Sequence, residues 1–148
     1  MKESKQNKTS MVRKEDAKPN WILLDAAGKT LGRFSAEVAK ILRGKHKPSF
    51  TPNIDVGDGV IIINADKVRV TGAKEAQKIY RYHTGHIGGL REIPFRNMMA
   101  KHPDYIIRRA VKGMMPKTKL GKQQLRKLRI FKGEQHGHEA QKPIKVEM

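Results

Sequence analysis

Gly28-Lys29-Thr30 follows an apolar stretch and opens a helical pattern, which is the setting of a phosphate-binding loop. Such a loop also needs a glycine five residues before Gly28, so that successive amides can cradle phosphate. Leu23 stands there, inside the apolar stretch, so a strand-to-helix turn with a capping Thr30 is the better account. Gly85-His86-Ile87-Gly88-Gly89 misses the G-x-G-x-x-G spacing of a dinucleotide site. Its glycines suit either a flexible loop or close backbone approach to a phosphate or sugar. The six His residues pose a metal question. Neither His83 with His86 nor His136 with His138 has a third ligand at recognisable spacing, apart from Glu139, and no Cys supplies a thiolate. Asp55-Val56-Gly57-Asp58-Gly59 lacks the calcium-loop template and reads as a turn before a strand. No Ser or Thr has a patterned His/Asp partner. The expectation is no catalytic residue, no cofactor, no metal and no small-molecule substrate.

What remains is charge. Lys and Arg total 32 against 14 acidic residues in 148, a net charge of +18. A fold that repels itself this strongly gains from a polyanion that neutralises it. The charge is uneven: residues 21–66 carry six basic against five acidic, whereas 67–148 carry twenty against six. Within 101–132, eleven basic residues meet Asp104 alone, which favours one binding face. Lys45, His46 and Lys47 leave a helix C-terminus, where cations also suit the dipole. Arg81, His83 and Arg91 interleave with Tyr80 and Tyr82, a mixture that gives phosphate contacts and stackable rings, or half-buried packing. Lys112 to Lys122 is the strongest basic segment. Aromatics are only 5%, so backbone and shape recognition should outweigh base stacking.

These side chains need a scaffold, and the hydrophobic periodicity supplies one. Residues 21–26 form a short apolar strand. Leu31, Phe34, Val38, Ile41 and Leu42 make the apolar stripe of a helix that Gly44 ends. Val60 to Ile63 is an uninterrupted run suited to a parallel strand covered on both faces. Val68-Arg69-Val70 follows, and 78–83 alternates as an exposed edge strand. The rest reads as mostly helical. Pro94 and Pro103 sit where helices begin, Ile107, Val111 and Met114 line one side of 103–115, and Thr118 caps 119–128. Met114, Met115 and Leu120 are expected to pack. The pattern predicts an α/β domain over 21–132 with a mainly parallel sheet. It is flanked by a basic flexible arm at 1–20 and an extended tail at 133–148. The longest apolar runs fall far short of the roughly 20 residues of a membrane helix, and residues 1–20 contain no apolar signal core.

Several stretches together resemble one family. They are Trp21-Ile-Leu-Leu-Asp-Ala-Ala-Gly-Lys-Thr-Leu-Gly-Arg33, Leu42-Arg-Gly-Lys-His-Lys47, Gly57-Asp-Gly-Val-Ile-Ile-Ile-Asn-Ala65, Val70-Thr-Gly72 and Tyr82-His-Thr-Gly85. Ala110-Val-Lys-Gly-Met-Met-Pro-Lys-Thr-Lys-Leu-Gly121 is the most specific, and Leu125-Arg-Lys-Leu128 and His138-Glu-Ala-Gln-Lys-Pro143 follow it. Over 19–143 the chain resembles the bacterial form of the large-subunit ribosomal protein L thirteen family. Residues 1–18 are an addition to that family's usual start. The resemblance implies a three-layer α/β/α domain on a largely parallel four-stranded sheet. It implies binding to large-subunit ribosomal RNA early in assembly, beside neighbouring ribosomal proteins, in the cytoplasm and without catalysis. The residues expected to meet the RNA are Lys45, His46 and Lys47; Arg81, His83 and Arg91; and Lys112, Lys117, Lys119, Lys122 and Arg126. The rival readings are a small α/β enzyme acting on a nucleotide, which nucleotides would stabilise, and a general nucleic-acid-binding protein, which would hold DNA as tightly as RNA.

Overall fold

A computed structural model describes residues 12–147, so most of the arm expected at 1–20 lies outside the described residues. Strand β1 (Trp21–Asp25) leads into helix α1 (Leu31–Arg43), and strand β2 (Gly59–Ile63) returns beside β1 in parallel register, Trp21 opposite Gly59 and Asp25 opposite Ile63. Strand β5 (Leu128–Ile130) flanks β2 and strand β6 (Ile144–Lys145) flanks β1, giving the order β5-β2-β1-β6 with every pairing parallel. Between β2 and β5 run helix α2 (Lys74–Gln77), strands β3 (Ile79–His83) and β4 (Leu90–Pro94), and helices α3 (Phe95–Lys101), α4 (Pro103–Met114) and α5 (Lys119–Arg126). Helices flanking a parallel four-stranded sheet are consistent with the three-layer α/β/α class.

The local causes are those the stripe predicted. Leu31, Phe34, Val38, Ile41 and Leu42 are all buried, and α1 packs them against α4 and β2. Gly44 ends α1 in the left-handed conformation at φ 80°, and its amide donates to the Ile41 carbonyl at 2.9 Å. That conformation strains any residue with a Cβ. Val60 and Ile62 enter the core with Leu24 and Leu128, while Ile61, on the other face by alternation, is equally buried. On α4, Ile106, Ile107 and Val111 complete the core. Rings gather at the C-terminal segment: His138 stacks on Trp21 at 6.3 Å and meets Phe131 edge-on at 5.4 Å.

Several expectations change. Residues 68–70 form no strand: Arg69 makes one parallel bridge to Thr30, and its carbonyl accepts the Leu31 amide at 2.8 Å. Thr30 occupies the N-cap position without a side-chain cap bond. The predicted edge strand at 78–83 does not join the main sheet but pairs with β4 in an antiparallel hairpin, Tyr82 opposite Arg91. Helices begin at both prolines as expected: Pro94 ends β4 and is the N-cap of α3, one position before its first turn, and Pro103 is the first residue of α4. Helix α5 stops at Arg126, so Leu128 lies in a strand. Met114 is 44% exposed, because α4 ends there and the extended backbone at Met115 turns that next side chain inward instead. The stretch expected to be an extended tail contains a 3-10 turn at Glu139–Gln141 and supplies β6, the edge strand beside β1.

Candidate nucleic-acid interface

The turn after α1 carries the first basic group, and the structure divides it. Lys47 donates from Nζ to Asp58 Oδ1 at 2.5 Å and to the Val56 carbonyl at 3.2 Å. His46 Nε2 lies 2.7 Å from Asp58 Oδ2, and the Asn20 amide donates to Asp58 Oδ1 at 2.9 Å. Asp58 itself is only 2% exposed. Burial pushes its carboxyl up, but the hydrogen bonds from Lys47, the Asn20 amide and His46 outweigh that and hold it below the usual 3.8. His46 and Lys47 are thus committed to an internal carboxylate, while Lys45 is exposed and has no carboxylate partner among the described residues. The loop they clasp is held from its other side by Lys127, which donates to Asp55 Oδ1 at 2.7 Å and to the Gly57 carbonyl at 2.6 Å. Gly57 passes so close to the Leu42 carbonyl that a Cβ would overlap it.

The second group sits on the β3–β4 hairpin and does not share one face. Arg81 and His83 alternate onto one side, and Arg91, opposite Tyr82, onto the other. Arg81 Nε pairs with Glu92 at 2.5 Å, and His83 Nδ1 accepts the Gly85 amide at 2.9 Å. Tyr80 is buried edge-on against Tyr105 under the Lys78 ammonium, so it cannot stack on a base. Tyr82, at 50% exposure, can.

The third group is the most open. Thr118 Oγ1 accepts the Gly121 amide at 3.1 Å and caps α5 as predicted. This cap fixes the helix phase. Lys119, Lys122 and Arg126 follow at helical spacing and are exposed, as are Lys112 on α4 and Lys117 in the connecting turn. None of the five has a carboxylate partner among the described residues.

The sequence reading overlooked cations that the fold brings beside these. Exposed Met114 stands between a cleft lined by Lys40, Arg43 and Lys45 and another lined by Arg33, Lys74 and Lys78. Arg33, Lys40 and Arg43 are the polar positions of the α1 stripe, a signal available in the sequence. Asp58 had no such signal. No group of three or more potential metal ligands occurs among the described residues, and none of their helices is long and apolar enough to cross a membrane.

Fold and surface together define a strongly basic α/β protein whose exposed helices gather cations. The chain belongs to the ribosomal protein L13 family, whose sequence model, described as Ribosomal protein L13, matches residues 19–137. It is 60% identical to the large ribosomal subunit protein uL13 of Chlamydia pneumoniae over 149 residues, covering all of both chains. It is 61% identical to the uL13 of Chlamydia caviae, again over all of both. The uL13 of Rubrobacter xylanophilus is 53% identical across 95% of this chain and 99% of its own. The chain is thus a ribosomal protein.

Proposed function

We propose that this protein is a structural constituent of the large ribosomal subunit that binds large-subunit rRNA and supports early assembly of the particle. The observation that carries the reading is the exposed, acid-free row Lys112, Lys117, Lys119, Lys122 and Arg126 on a chain whose relatives are named for the large subunit. Ammonium and guanidinium groups without internal partners displace the counterions condensed on RNA, and the released ions drive binding. Lys45 and, on the hairpin, Arg91 extend the contact, while Arg81 would first have to leave Glu92. His46 and Lys47 act by positioning Lys45, since Asp58 holds the turn that carries them. Contacts of this kind read backbone and shape, with little base readout. On this reading the protein resides in cytoplasmic ribosomes, beside other large-subunit proteins.

Sedimentation of tagged protein from a lysate tests the reading, before and after a wash in high salt. Cosedimentation with the large subunit that survives the wash, and presence in its lightest precursors, is the expected result. Release to the top of the gradient at moderate salt, with equal affinity for DNA and rRNA, would leave only general polyanion attraction.

A further inference from the structure

The end of α4 and the body of α5 enclose a groove of about 550 Å3. That is within the range of roughly 300–1,000 Å3 for clefts that accept small ligands. Its floor is apolar: Met115 is buried, and Pro116 and Leu125 are half-buried. Arg109, Lys112, Lys117 and Lys122 stand around it, all exposed and all without a carboxylate partner among the described residues. This combination selects its occupant. A paired stem would satisfy the rim with phosphates but leave the floor unfilled. An apolar protein side chain would fill the floor but leave four cations unanswered. An unpaired nucleotide brings an apolar base face with a phosphate on either side of it.

We propose that this groove receives one unstacked nucleotide of RNA, its base face on Met115, Pro116 and Leu125 and its flanking phosphates on Lys112, Lys117 and Lys122. The inference deepens the rRNA reading and rests on it. The Lys and Arg side chains of α5 account for affinity toward any RNA; the groove adds a preference for a bulge or a single-stranded junction, where bases are free to splay out. The groove's lining has no aromatic ring, so it discriminates little among the bases, and the polarizable Met115 adapts to each.

Gly113 provides the test. It lines the groove within the last turn of α4, and a Cβ built there meets nothing within 4 Å. Gly113→Leu therefore adds an apolar side chain at the groove's lining without a clash or a change of charge, and helix propensity favours the replacement. The probes are two fluorescein-labelled RNA hairpins, identical except for a single-nucleotide bulge, titrated with full-length protein across a salt series. The wild type is expected to bind the bulged hairpin about tenfold more tightly. Gly113→Leu should lose that preference while keeping its affinity for the paired hairpin and its salt slope. In the wild type, the Met115 methyl resonance should shift with the bulged hairpin only. Equal binding of the two hairpins by the wild type, or a preference that survives Gly113→Leu, overturns the proposal. An unmoved Met115 methyl at saturation overturns it as well. If neither hairpin binds in a salt-dependent way, the rRNA reading fails together with it. A Gly113→Leu protein that binds both hairpins like wild type but no longer cosediments with the large subunit would assign the groove to a protein neighbour.

Discussion

Replacing Asp58 with Asn keeps the shape of the side chain and removes its charge. Asp58 accepts from the Asn20 amide at 2.9 Å, from Lys47 at 2.5 Å and from His46 at 2.7 Å, the last as its donor form. Asn retains one oxygen for the Asn20 amide but turns an NH2 toward the remaining donors. Removing one partner of a fully buried ion pair costs about 3–5 kcal/mol. Here the Lys47 and His46 side chains keep 23% and 33% exposure, so water recovers part of the loss. The expected destabilisation is about 2 kcal/mol, or about 6 °C in Tm for a domain of this size. The sign with pH follows from the lowered carboxyl. Its contribution is complete above the unfolded value near 3.8 and disappears as pH falls through the depressed folded value. Thermal melts of wild type, Asp58→Asn, Lys47→Met and the double variant, at pH 7 and stepwise below pH 4, measure this directly. The gap between wild type and Asp58→Asn should be widest at neutral pH and narrow in acid, and the double-variant cycle should show coupling. Equal melting at pH 7, or a gap unchanged into strong acid, would refute the reasoning.

Burial, and then the neighbouring Tyr105, push the Tyr80 hydroxyl up from 10.0 to about 12. The folded state thus keeps a proton that the unfolded chain loses, and stability falls as pH rises between those values. Tyr80→Phe should flatten that alkaline loss by about 1 kcal/mol between pH 8 and pH 11, read by urea unfolding at pH 8, 10 and 11. Thr118→Ala removes the cap that Gly121 donates to and should cost about 1 kcal/mol in denaturant unfolding, with Thr118→Ser restoring most of it. Lys119→Ala and Lys122→Ala should each reduce the salt dependence of binding to large-subunit rRNA by about one unit.

The β1-α1-β2 unit was legible because its signals are local and agree: a five-residue stripe, a terminal glycine and a run of branched residues with no polar interruption. Strand β5 was not. Leu128 continues the helical spacing of Leu125, and only the turn at Lys127, whose ammonium is drawn to Asp55 and Gly57, takes it out of the helix. Strand β6 has a single apolar pairing residue, Ile144, in polar surroundings; what makes it a strand is the open edge of β1. The same division holds at the surface. The free lysines of α5 could be read from the lack of acids around them, since no folding back was needed. The partnership of Asp58 with His46 and Lys47 depends on the loop 54–58 returning beneath the end of α1, which no spacing rule encodes. Tyr80 and Tyr82 look equivalent by alternation, and only the body under one end of the hairpin separates them.

The arrangement of β1 between β2 and β6 sets an order on the folding of the chain. During synthesis, β1, α1 and β2 emerge one after another and can pair early, since they are consecutive in the chain. The other edge of β1 has no partner until residues 144–145 appear. Until then its amides and carbonyls are open to water or to any other extended chain. Closure joins segments separated by most of the described sequence, the kind of contact that forms late. A protein that begins to engage RNA through α4 and α5 before β6 docks would complete its sheet on the nascent particle, with the RNA already holding the intervening chain.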